Sequence, residues 1–336
     1  MIRVRFAPSP TGSLHVGNAL SAVINRREGD WLLLRIDDTD VSRNVRGGEA
    51  AILRDLEWVG IQWEEGPVRQ HERQERYREA AERLGTTRFD GITLLRDDGT
   101  ATYQLASVVD DADFGITRVI RGNDHRPNEP LHRLLHEALG TTPPEYVHHG
   151  LLLGEDGKKL SKRAAGATIE SLRELGIPPE AVRTYLEELG LPRHDVHYDL
   201  GRIRRLSIEA LGRLPDEELA ERAGAPLELV PALRGVRDLA EARAIAASLE
   251  AAPMPRPTTS PETLERFREL REQGDVHVDE RTAKEIVREL KAVGGDLRAL
   301  RLALTGAERG PELWAVIAAL PREEAVRRAG VGTTAG

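Results

Sequence analysis

Cysteine is absent from this chain. That excludes disulfides and thiolate metal sites, and nothing then ties the protein to an oxidising compartment. No run of apolar residues is long enough to span a bilayer, and the first residues read as a strand rather than a signal peptide, so a cytoplasmic location is expected. A surplus of positive charge is missing too. The net charge of −8 argues against unselective nucleic-acid binding through bulk electrostatics. It does not exclude a folded RNA held by local basic faces and by shape. Lysine is the scarcest of the common charges: only Lys158, Lys159, Lys162, Lys284 and Lys291 interrupt the use of arginine.

Three of those five lysines fall in one segment, GEDGKKLSKR. Arginine is a rigid fork suited to bidentate pairing, whereas lysine is a compact, flexible point charge able to follow a phosphate whose geometry changes. Three ammonium groups beside Gly154, Gly157 and Ser161 therefore suggest a mobile clamp on a polyphosphate, against the plainer reading of a solvated loop. The N-terminal segment RVRFAPSPTGSLHVGNALSAVINRR shifts that balance. Val4 to Ala7 read as a strand, Pro8, Pro10 and Gly12 break it, and a helical pattern starts at Val16. A strand, a Pro/Gly turn and a helix opening near Gly17 leave free N–H groups facing the turn, an anion site. His15 stands at the mouth of that helix, either as a cap or as a donor to a phosphate or ribose oxygen. The two segments look like halves of one nucleotide site.

RFAPSPTGSLHVGNA and KLSKR resemble the HIGH and KMSKS motifs of class I aminoacyl-tRNA synthetases, in the form used by glutamyl-tRNA synthetases. LRIDDTD (Leu34–Asp40), ATYQLASVVDD (Ala101–Asp111) and ITRVIRGNDH (Ile116–His125) are similar to that family's intervening blocks, in the same order. The likeness is dense over residues 1 to about 190 and thinner beyond. It implies an α/β catalytic domain with a Rossmann-like parallel sheet, followed by an all-α C-terminal region. The implied activity is ATP-dependent activation of L-glutamate and its transfer to the 3′ end of tRNA. The implied ligands are L-glutamate, ATP with Mg²⁺, and tRNA; no zinc and no membrane are expected, and the protein is expected to act as a monomer. Two alternatives stay open: a glutamyl-queuosine-type tRNA modification enzyme, and a tRNA-independent amino-acid-activating paralogue.

The segment pattern supports this organisation. Short β-like runs (Trp31–Ile36, Ile92–Leu95, Thr117–Arg121, Tyr146–His149) alternate with helical stretches up to about residue 165, the mark of a parallel α/β sheet. Beyond Arg163 only helices are expected. The expected domains are a catalytic domain 1–165, a helical connecting region 166–250 and a C-terminal helical, anticodon-side domain 251–330. AAPMPRPTTSPE (Ala251–Glu262) reads as a linker, because its prolines prevent helix. Between the helix ending near Leu84 and the strand near Gly91 stands only GTTRFD, where the resembled family has a sizeable acceptor-stem-binding insertion.

The resemblance assigns residues block by block. For ATP it implies Gly12, His15, Gly17, Asn18, Lys159, Ser161 and Lys162, with His15, Lys159, Ser161 and Lys162 also catalytic. For glutamate it implies Arg5, Ser9, Asp37, Tyr103, Ser107 and Arg121. Asp37 stands where the family normally has Glu, Ser107 where Asn is common, and Asn123 where Glu is common. Asp40 is read as a turn cap. The i,i+4 pair His132 and His136, with His125, His148 and His149, invites a zinc reading, but no third ligand is placed as in HExxH and packing is the better account. Arg202, Arg204 and Arg205, and Arg281, Lys284 and Arg288, are candidate tRNA contacts because they cluster at helical spacing.

Overall fold

The computed structural model describes residues 1–251 and 260–330. The expected linker therefore lies mostly outside the described residues, as does the terminal VGTTAG. Contacts divide the chain into two compact units: residues 1–174 with 182–203, and residues 175–181 with 204 onward.

The first unit is α/β. Strand β1 (Arg3–Phe6) leads through the Pro/Gly turn into α1 (Val16–Glu28), then β2 (Trp31–Ile36), α2 (Gly48–Val59) and β3 (Glu65–Arg69). These strands form a parallel sheet in the order β1-β2-β3, each joined to the next through a helix. Burial explains the sequence: β2, WLLLRI, is covered on both faces and reads as a continuous apolar run. β3 escapes the sequence pattern because EGPVR is polar and carries proline, which a strand tolerates only at an edge, where it lies. Gly48 opens α2 because a Cβ there would sit 2.2 Å from Pro10 O, so only glycine lets the helix meet the first turn.

After α3 (Gln74–Leu84) the chain makes an antiparallel hairpin, β4 (Arg88–Phe89) with β5 (Ile92–Thr93). The run expected as sheet strand Ile92–Leu95 is thus part of a small ribbon. Tyr103 opens helix α4 (Tyr103–Asp113), where the apolar positions of YQLASVVDD repeat at helical spacing. β6 (Arg118–Gly122), α5 (Glu129–Ala138) and β7 (Glu145–His149) follow, with β6 and β7 parallel. β6 lies beside β1, where Thr117 N donates to Arg3 O at 3.0 Å. β8 (Leu152–Leu153) pairs in parallel with β9 (Val196–His197), so strands do not stop at Arg163; a two-residue strand is too short to leave a sequence pattern.

The second unit is helical around one core running from Leu211 to Ala329. Among its described helices, Pro261–Glu272 packs on Arg322–Gly330 and Glu280–Ala292 on Leu313–Ala319.

Candidate active site

A cavity of about 850 Å³ opens in the first unit where β1, β2, β6 and the loop after β8 end. That is the switch-point position expected of an open parallel sheet. Arg5, Ser9, His15, Gly17, Asn18, Asp37, Tyr103, Arg121, Lys159 and Lys162 line it; Gly12, Ser107 and Ser161 do not. Gly12 shapes the turn, with φ +98. Ser161 caps its own loop, its Oγ accepting from Arg163 N at 3.2 Å. Ser107 is buried on α4, its Oγ without a hydrogen-bond partner among the described residues.

His15 is the N-cap of α1, its Nδ1 accepting from Gly17 N at 3.1 Å. Burial, then the charges of Lys162 and Lys159, bring its pKa down to about 4, so the ring stays neutral. The lysine loop folds back on this turn. Lys162 Nζ donates to Thr11 Oγ1 at 3.0 Å and to Thr11 O at 3.2 Å. Beyond it, Val16 N donates to Ala167 O and Ile169 N to Leu14 O, both at 2.9 Å. Lys159 pairs with Asp124 at 2.6 Å. The two segments singled out in the sequence therefore meet over one cavity.

The other end of the cavity holds two buried guanidiniums. Arg5, only 5% exposed, has Asp111 Oδ1 3.4 Å from its Nε and no hydrogen-bond partner for that Nε among the described residues. Asp111 is shared with Arg35, which donates to it at 2.8 Å. Burial pushes the Asp111 carboxyl up, but Arg35 and Arg5 outweigh this and hold it below the usual carboxylate range. Arg121 makes no ion pair among the described residues. It reaches Tyr103 Oη at 3.4 Å, His132 Nδ1 at 3.4 Å and His148 Nε2 at 3.3 Å, and its Nη2 has no partner among those residues. Asp37 is fixed through its N–H to Pro8 O at 3.0 Å, and burial raises its carboxyl pKa. Asp40 caps the next turn, accepting from Ser42 N.

Sequence reasoning missed Thr11, Asp124, Arg35 and Asp111 as partners of the lining residues. Asp124 and Asp111 lay inside quoted blocks, yet nothing in a linear pattern says which carboxylate meets which cation. The remaining histidines bond to protein groups: His136 to Thr141 Oγ1 at 2.8 Å, His149 to Ser21 Oγ at 2.7 Å. Among the described residues no three His, Cys, Asp or Glu side chains gather as metal ligands. In the candidate tRNA clusters, Arg202 pairs with Glu188, Arg281 with Glu285 and Lys284 with Glu280, whereas Arg204 and Arg288 are exposed and make no ion pair among the described residues.

The model of the family described as "tRNA synthetases class I (E and Q), catalytic domain" matches residues 1–87 and 85–199. Glutamate–tRNA ligase 1 of Rubrobacter xylanophilus is 35% identical over 97% of this chain and 96% of its own length. That alignment runs over 425 positions against the 336 residues here, so the relative carries segments this chain lacks. Glutamate–tRNA ligase of Akkermansia muciniphila is 31% identical over 98% of each chain, whereas that of Geobacter sulfurreducens, 35% identical, aligns over 62% of its own length. In fold, the chain is similar to a glutamate tRNA ligase from Elizabethkingia meningosepticum solved with its amino acid. The TM-score is 0.79 at 22% identity, over 99% of this chain and 100% of that one.

Proposed function

Because this chain belongs to the class I tRNA synthetases for glutamate and glutamine, we propose that it is a glutamate–tRNA ligase whose amino-acid site is built on Arg5 and Arg121. The observation that carries the assignment is the pair of buried guanidiniums with unpartnered N–H groups in the cavity that His15 and the lysine loop also line. A buried cation without a full set of acceptors is costly, and an anionic ligand removes that cost. Glutamate brings two carboxylates; glutamine brings one.

In this reading ATP lies between His15, Gly17 and Asn18 and the loop carrying Lys159, Ser161 and Lys162, with Mg²⁺ carried on its phosphates. The glutamate α-carboxylate attacks the α-phosphorus, the bond to the β-phosphate oxygen breaks and pyrophosphate leaves. A terminal ribose hydroxyl of tRNA then attacks the acyl carbon and AMP leaves. The lysines stabilise developing phosphate charge, and neutral His15, whose Nδ1 already accepts from Gly17 N, offers its Nε2–H as a donor without adding charge. Arg5, Arg121, Tyr103, Ser9 and Asp37 orient the amino acid. Residues 1–165 would supply the chemistry, 166–250 the connection and 251–330 the anticodon-side contacts. Arg202, Arg204, Arg205, Arg281, Lys284 and Arg288 are proposed tRNA contacts.

ATP–pyrophosphate exchange across amino acids, with and without tRNA, tests this. Glutamate should exceed glutamine by at least about 100-fold, since a site made for a charged side chain leaves its cations unpaired with the amide. Exchange driven better by any uncharged amino acid would remove the assignment.

A further inference from the structure

We propose that His132 and His148 are positioning residues: as neutral acceptors they present Arg121 to the anionic substrate with its full positive charge. The proposal rests on the reading of Arg121 as an amino-acid contact and goes beyond it, because the two histidines come from α5 and β7 and touch the substrate only through Arg121.

The proton positions follow from the bonds. His132 Nε2 lies 2.6 Å from Gln104 Oε1, and Gln104 Nε2 is committed to Asn128 Oδ1 at 3.2 Å. An amide oxygen only accepts, so His132 Nε2 carries the hydrogen and Nδ1 offers its lone pair to Arg121 Nη1. His148 uses Nε2 to accept from Arg121 Nε, while its Nδ1 faces Glu129 Oε2 at 3.5 Å. The Tyr146 ring stacks under the same guanidinium, 5.1 Å from its centroid. Among the described residues, every group that Arg121 touches is therefore an acceptor or a π face, and none of them is a carboxylate. Arg5 differs, because it faces Asp111. Burial, and then the Arg121 charge, keep both rings from protonating, holding His132 to about 3 and His148 to about 4.

Neutral acceptors suit this place. A carboxylate would hold Arg121 more firmly but would cancel the charge the ligand needs. An apolar residue would leave a buried N–H unpaired and the guanidinium free to swing. A histidine fixes the orientation and leaves the charge intact.

The test uses five variants of the full chain. Asn is the isostere that keeps an acceptor at the Nδ1 position, and Asp adds a negative charge at the same place. His132→Asn should keep the KM for glutamate within about threefold of the unmodified protein, whereas His132→Asp and His132→Leu should raise it about tenfold or more. The KM for ATP should stay within about twofold in all three. His148→Gln against His148→Leu repeats the comparison on the second ring, should a His132 variant fail to fold. Asn and Asp variants with the same glutamate KM, or KM values for glutamate and ATP that rise together, would overturn the proposal while the unmodified protein still takes glutamate. An unmodified protein that does not take glutamate would instead overturn the reading beneath it, and the proposal with it.

Discussion

At the residue scale, this site keeps its histidines neutral and leaves positive charge to arginine and lysine. The pH dependence of stability follows from that choice. His132 titrates near 3 in the fold against an ordinary 6.5, because burial and then Arg121 oppose its charged form. The unfolded chain takes up the proton first as pH falls below 6.5, so the stabilisation is complete above that value and is lost progressively towards pH 3. At pH 5 the loss from His132 alone is about 2 kcal/mol, from roughly 1.5 pH units at about 1.4 kcal/mol each. His15 and His148, each brought down to about 4, act with the same sign. Urea unfolding at pH 7 and pH 5 should show this loss, and His132→Asn should lose about 2 kcal/mol less than the unmodified chain over that interval. Equal losses in the two proteins would mean that His132 is already free to protonate.

At the scale of elements, the sequence displayed the first turn, helix α1 and the lysine loop because each depends on local chemistry. Proline and glycine break the strand, and three of the few lysines gather beside two glycines. α2 and the helix Pro179–Leu189 are likewise of the legible kind, since apolar residues recur there at helical spacing. β3, β9 and the start of α4 were not legible. An edge strand with proline, a two-residue strand and a helix opening on an aromatic all owe their state to packing partners that a linear pattern does not contain. The same holds for Asp124, which meets Lys159 only because β6 and the lysine loop end side by side. The loop itself should act chiefly in the transition state. Lys162 is exposed and, among the described residues, held by hydrogen bonds to Thr11 alone, so Lys162→Ala should unfold within a few degrees of the unmodified protein yet lose about 100-fold or more in kcat. The KM for ATP should move much less. Near-normal turnover in that variant would remove Lys162 from the chemistry.

At the scale of the whole molecule, an acidic protein that charges tRNA must concentrate its grip on cations that are free to meet phosphate. The contrast between paired and unpaired arginines sorts the candidates. Arg281 and Lys284 already have glutamates at helical spacing, and Lys284 also lies over the Trp314 ring at 4.7 Å, so a phosphate must compete for both. Arg204 and Arg288 are exposed with no such competitor among the described residues. Arg288→Ala and Arg204→Ala should therefore each weaken tRNA binding more than Arg281→Ala does. Each lost phosphate contact should also lower the slope of log affinity against log salt by roughly 1. Deleting the chain after Leu249 would not isolate this grip, because the core of the second unit runs from Leu211 to Ala329 and the cut would expose it. Point substitutions at exposed positions avoid that problem, being worth little to stability. Filter binding of tRNA from 50 to 300 mM salt (about the range over which such slopes are read) supplies the measurement. If Arg281→Ala and Arg288→Ala weaken binding equally, ion pairing within the free protein does not decide which arginines reach the RNA, and the grip must be sought elsewhere, beginning with the short hairpin of β4 and β5.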